Sequence, residues 1–120
     1  FAKRAKTITS IPIMLTGGFE TRDQALMATQ TDSADAIGLA RSMVLNPSLA
    51  NTWLGDNSND PEFPIFEAPP RGGVTAWYSM RLTALGEDTE GKFALNPQAA
   101  VNAYEERDAQ RSVKWQEKYS

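Results

Sequence analysis

Ile11-Pro12-Ile13-Met14-Leu15-Thr16-Gly17-Gly18 is a short apolar run, rich in β-branched residues, that stops at two consecutive glycines. Such a run predicts a buried strand, Ile11 to Leu15, ended by Thr16-Gly17-Gly18, with Pro12 near its first residues, where a missing N–H is tolerated. Thr21 follows, with Gln24 three positions on. That is the spacing of a capping box, so a helix starts there. Its Ala25, Leu26, Ala28 and Thr29 suit one face of a sheet. A second apolar run, Ala34 to Ala40, centres on Ala36-Ile37-Gly38-Leu39 and predicts a second buried strand. Strand, helix and strand at this spacing form a βαβ unit with parallel strands, so the fold class is α/β. Parallel sheets are normally covered on both faces, which two strands alone do not achieve.

Around this unit the remaining elements follow from local signals. Phe1 to Lys6 is basic with helical spacing and reads as the last turns of a helix. Asn46-Pro47 is a cap followed by proline, opening a helix that carries Leu49 and Trp53 on one face and ends at Gly55. Residues 56–73 hold four of the seven prolines and read as a long irregular loop. A helix is expected from Val74 to Leu85, with Gly86 just past its end. After a second loop, Glu87 to Leu95, Asn96-Pro97 repeats the cap-plus-proline signal and opens a charged helix over 96–119. Trp53 and Trp115 are expected in packing roles.

The 120 residues include neither His nor Cys. A Cys/His zinc site, a disulfide, a Ser-His-Asp triad and a histidine base are all excluded. Twelve basic and 15 acidic residues give a net charge of −3, which offers no footprint for nucleic acid and no strong pull toward anionic membranes. The apolar runs are too short to span a bilayer, and the first residues lack the apolar core of a signal peptide. A cytoplasmic location is therefore expected.

Two consecutive strand ends carry the chemistry. The first delivers Gly17 and Gly18 just before a capped helix, and the second delivers Ala40 and Arg41 just before another helical segment. Ligands of parallel α/β folds bind at the C-terminal ends of strands. Glycines let the backbone approach an anion, and a guanidinium adds a charge-assisted contact to phosphate. The four residues thus read as a phosphate cradle. A plain tight turn and a surface arginine fit the same spacing, since neither motif has a nucleotide fingerprint.

Ile11-Pro12-Ile13-Met14-Leu15-Thr16-Gly17-Gly18-Phe19, then Asp35-Ala36-Ile37-Gly38-Leu39-Ala40-Arg41, then Asn46-Pro47-Ser48-Leu49 together resemble the C-terminal part of the old yellow enzyme family. These NADH:flavin oxidoreductases and ene-reductases are FMN-dependent (β/α)8 barrels. Order and separation match from about Phe1 to Leu54, and Ala76-Trp77-Tyr78 matches less specifically. The resemblance implies that the chain is the C-terminal portion of such a TIM barrel, strands 7 and 8 with their helices. A barrel takes about 250 residues. The missing N-terminal barrel portion, or a partner chain, would complete it.

By the family pattern, Gly17, Gly18, Ala40 and Arg41 would hold the FMN phosphate, and Trp77 and Tyr78 would lie near the flavin's dimethylbenzene edge. Packing of a helix is the other reading of that aromatic pair. Many members carry Gly where this chain has Ala40; an Ala serves provided its φ stays negative. The implied activity moves hydride from NADH or NADPH through FMN to an electrophilic acceptor such as an α,β-unsaturated carbonyl. The family's His/Asn or His/His pair is absent from a chain without His, so the isolated chain is expected to be inactive. Two other readings stay open: a non-catalytic phosphate-binding or assembly module completed by a partner, and a flavin-dependent dehydrogenase of related fold.

Overall fold

The computed structural model describes residues 1–55 and 59–120. They form two compact units, Phe1–Phe63 and Pro64–Ser120.

The first unit opens with α1 (Ala2–Lys6) and reaches β1 (Met14–Thr16), α2 (Arg22–Gln30) and β2 (Ala36–Gly38). Short helices α3 (Arg41–Leu45) and α4 (Leu49–Leu54) follow. The two strands pair in parallel, with Met14 opposite Ala36, Leu15 opposite Ile37 and Thr16 opposite Gly38. The βαβ reading therefore holds at the level of element order and strand direction. The capping box is formed: Thr21 Oγ1 accepts from the Gln24 N–H at 3.3 Å, and Gln24 Oε1 accepts from the Thr21 N–H at 3.2 Å. The Asn46 cap works two residues early. Its Oδ1 accepts from the Ser48 N–H at 3.0 Å, and α4 starts only at Leu49. Leu49, fully buried, and Trp53 form the inner face of α4, which ends at Gly55.

The barrel expectation is overturned. Among the described residues there are six α-helices and one two-stranded sheet, so the chain is helix-rich rather than the strand 7 and 8 portion of a (β/α)8 barrel. Each strand is three residues long, where the apolar runs predict five and seven. The physical reason lies in the apolar run itself. Ile11 is 72% exposed and Met14 66%, so two residues of the apolar run that signalled a buried strand have no layer over them. Pairing starts at Met14, two residues past Pro12, which has no N–H to donate to a ladder.

The second unit is built on α5 (Gly73–Gly86) and α6 (Pro97–Tyr119), joined through Glu90–Lys92, a single 3-10 turn. Before α5, residues 64–72 lack regular structure, as expected for the loop over 56–73; residues 56–58 of that expectation lie outside the described residues. Gly72 caps α5 with φ +78°, a conformation that favours glycine. Gly86 is the last helical residue rather than the one after it. Asn96 Oδ1 accepts from the Ala99 N–H at 2.8 Å and Pro97 fills the first turn, as the cap signal predicts.

A Cβ on Gly73 would sit 3.1 Å from the Pro97 Cβ, and Arg107 Nη1 donates to Thr83 Oγ1 at 2.8 Å. The starts of α5 and α6 thus lie together and so do points ten residues further along each. The two helices run side by side in the same direction. Small buried residues, Ala76 and Ala84 on α5 and Ala100 on α6, let them approach closely. From Asp108 onward α6 is exposed, and Trp115, 65% exposed, does not take the packing role expected of it. Its ring meets only Tyr119 of the same helix among the described aromatic pairs, at 5.2 Å.

Candidate functional site

Because Thr16 pairs with Gly38, the two strand ends lie side by side. Glycine at 38 keeps this approach uncrowded: an added Cβ would meet Thr16 Cβ and Oγ1 at 3.1 Å, a contact that only a shift of the Thr16 side chain could relieve. Beyond the ladder the chain turns at Gly17 (φ +90°) and Gly18 (φ +77°). Two successive left-handed residues are cheap only for glycine. A Cβ at either would meet nothing within 4 Å, so the space over this backbone is open. On the other strand, Ala40 caps α3 with φ −91°, and Arg41 is the first residue of that helix. The negative φ at Ala40 lies in a region open to any residue with a side chain.

These pieces enclose a cleft of about 420 Å³, lined by Gly17, Gly18, Ala40 and Arg41 together with Phe19, Glu20, Ser42 and Phe63. The structure brings four of the six sequence-derived site residues to one place. Sequence reasoning missed Ser42, Glu20 and Phe63. The Ser42 hydroxyl donates to the Phe19 carbonyl at 2.9 Å, tying the glycine turn to the first turn of α3. Nothing in the spacing of Ser42 signals this, because its partner is 23 residues away.

The other two candidates, Trp77 and Tyr78, belong to the second unit, where their local roles are clear. Trp77 packs edge-on against Phe66 and Phe93, each with ring centroids 5.3 Å away, and against Tyr78 at 5.1 Å. Its indole N–H donates to the Leu95 carbonyl at 2.8 Å. Tyr78 is buried. Trp77 anchors the return segment Glu87–Leu95 to α5 through Phe93 and Leu95, with Tyr78 beside it.

The start of the sheet is held by Asp35. Its Oδ2 accepts from the Ile13 N–H at 2.7 Å, and Oδ1 takes the Lys6 ammonium at 2.6 Å; Lys6 also reaches Asp32 at 3.2 Å. The hydrogen bond from Lys6, aided by the Ile13 N–H, holds the Asp35 carboxyl below the ordinary carboxylate value. The same bond raises the Lys6 ammonium above its ordinary value. Lys6 sits at the end of α1, so this ion pair ties α1 to the sheet.

Among the described residues, no group of three or more His, Cys, Asp or Glu converges to hold a metal ion, and no helix is long and apolar enough to cross a membrane. Comparison with protein-family models, curated proteins and solved structures finds no match to this chain.

Proposed function

We propose that the cleft between the two strand ends binds the phosphate monoester of FMN, and that the chain serves an FMN-dependent NAD(P)H oxidoreductase. The supporting observation is the pair of open, left-handed glycines that line one cleft with Ala40 and Arg41, just beyond the last ladder pair, Thr16 with Gly38. Glycine backbone with nothing over it admits an anion to close range, and Arg41 supplies a charge and planar donors suited to phosphate. A volume of about 420 Å³ is in the range of small-molecule sites. Bound FMN would supply two-electron hydride chemistry between NADH or NADPH and an electrophilic acceptor such as an α,β-unsaturated carbonyl. This chain's residues would contribute anchoring alone. With no His in the 120 residues, the groups that hold the acceptor lie outside them.

Titration of the pure chain with FMN and with riboflavin, followed by flavin fluorescence, tests the reading. FMN should bind and riboflavin, lacking the phosphate, should bind at least ten-fold more weakly, the scale of one charge-assisted contact. Equal affinity for the two removes the phosphate role. Arg41→Ala should weaken FMN by a similar factor, and the isolated chain should show no NADPH oxidation.

A second reading, a phosphate-binding assembly module without catalysis, draws on the exposure of Ile11 and Met14 beside an open two-stranded sheet. A discrete oligomer that binds phosphate favours it over the first.

A further inference from the structure

Ser42 is the only polar or charged side chain that is buried among the described residues, with 3% of its surface exposed. It lies at the junction of the two strand-end segments, and its hydroxyl donates to Phe19 O, the carbonyl one residue past the glycine pair. Gly17 and Gly18 carry no side chains, and nothing lies within 4 Å of where a Cβ would be. Unrestrained glycine is the most mobile backbone a chain has, and fixing it costs conformational entropy. On the far side the turn is held as well. The Gln24 Oε1 accepts from the Glu20 N–H at 2.8 Å, so the segment between β1 and α2 is pinned at Phe19 by Ser42 and at Glu20 by the capping box.

We infer that Ser42 is a positioning residue: its hydroxyl fixes the Gly17–Phe19 turn against α3, and so sets the separation of the two halves of the cleft. The consequence for a ligand rests on the phosphate reading above, whereas the consequence for the turn does not. The serine acts through the Phe19 carbonyl and donates its single proton there.

The experiment compares the wild-type chain with Ser42→Ala, which removes the donor, and Ser42→Thr, which keeps it. Amide hydrogen exchange is read at Glu20, whose N–H is bonded to Gln24 Oε1, against reference amides in α2 and α6, with circular dichroism confirming that each variant folds. Ser42→Ala should raise exchange at Glu20 about ten-fold relative to those references, and Ser42→Thr should restore it. In parallel, FMN affinity should fall about ten-fold in Ser42→Ala and recover in Ser42→Thr. Unchanged exchange at Glu20 in a folded Ser42→Ala overturns the inference. Exchange that rises equally across α2 also overturns it, because the serine then supports the unit in general and not the turn. If the wild-type chain fails to bind FMN while exchange at Glu20 rises as stated, the phosphate reading falls and the positioning of the turn by Ser42 stands.

Discussion

At single positions, backbone conformation and charge set the outcomes. Gly17→Ala places a Cβ at φ +90° and should destabilise the chain by about 1–2 kcal/mol in urea unfolding, although the space there is open. The penalty is conformational, so serine in place of alanine should give the same value. Glu20 is the acidic residue among those lining the cleft, and it opposes any phosphate placed there. Glu20→Gln should tighten FMN a few-fold at low salt, with the gain shrinking as salt screens the charge. Asp35 links pH to stability. Its carboxyl is held below the ordinary value of 3.8, so its contribution is complete above that pH and is lost as pH falls through the lowered value. Lys6 is raised above 10.5, so its contribution is complete below that pH and is lost as pH rises through the raised value. Asp35→Ala should therefore destabilise at neutral pH, and the difference from wild type should shrink under acid. A difference that stays constant as pH falls far below the ordinary carboxylate value would show that the carboxylate has no such role.

Among the elements, those read correctly are the ones whose instructions are local. Thr21 with Gln24 and Asn96 with Pro97 each place a hydrogen-bond acceptor and its partner within one turn, and both caps form. Thr21→Ala and Asn96→Ala should each cost about 1 kcal/mol, measurable by denaturant unfolding. The strands were legible in order and direction but not in environment. An apolar run such as Ile11 to Leu15 records a preference for extended backbone; what covers it depends on elements that the run does not encode. The motif likeness to a barrel family carried the same weakness, since it described two strand ends and not a closed sheet. Of the site, Gly17, Gly18, Ala40 and Arg41 were legible because consecutive parallel strands deliver their ends together. Ser42 was not, because a single serine can serve any carbonyl within reach of the folded chain.

For the whole chain, the absence of His has a consequence beyond catalysis. No side chain has an unperturbed titration between pH 5 and 8, so the stability of the protein should be nearly flat across that range. A urea midpoint that shifts markedly between pH 5.5 and 7.5 would contradict this. Connectivity imposes a further condition through the shared direction of α5 and α6. Two helices that run the same way cannot be joined by a tight turn; the chain must travel back the length of the first. Fourteen residues of α5 span about 21 Å at 1.5 Å per residue. The ten residues Glu87–Asn96 reach about 33–36 Å when fully stretched, and the turn at Glu90–Lys92 shortens that. The connector therefore exceeds the span by at most about 12–15 Å, a margin of roughly four residues. Lengthening it by several residues should leave the thermal midpoint almost unchanged, whereas removing four should pull Pro97 away from Gly73 and unseat α6.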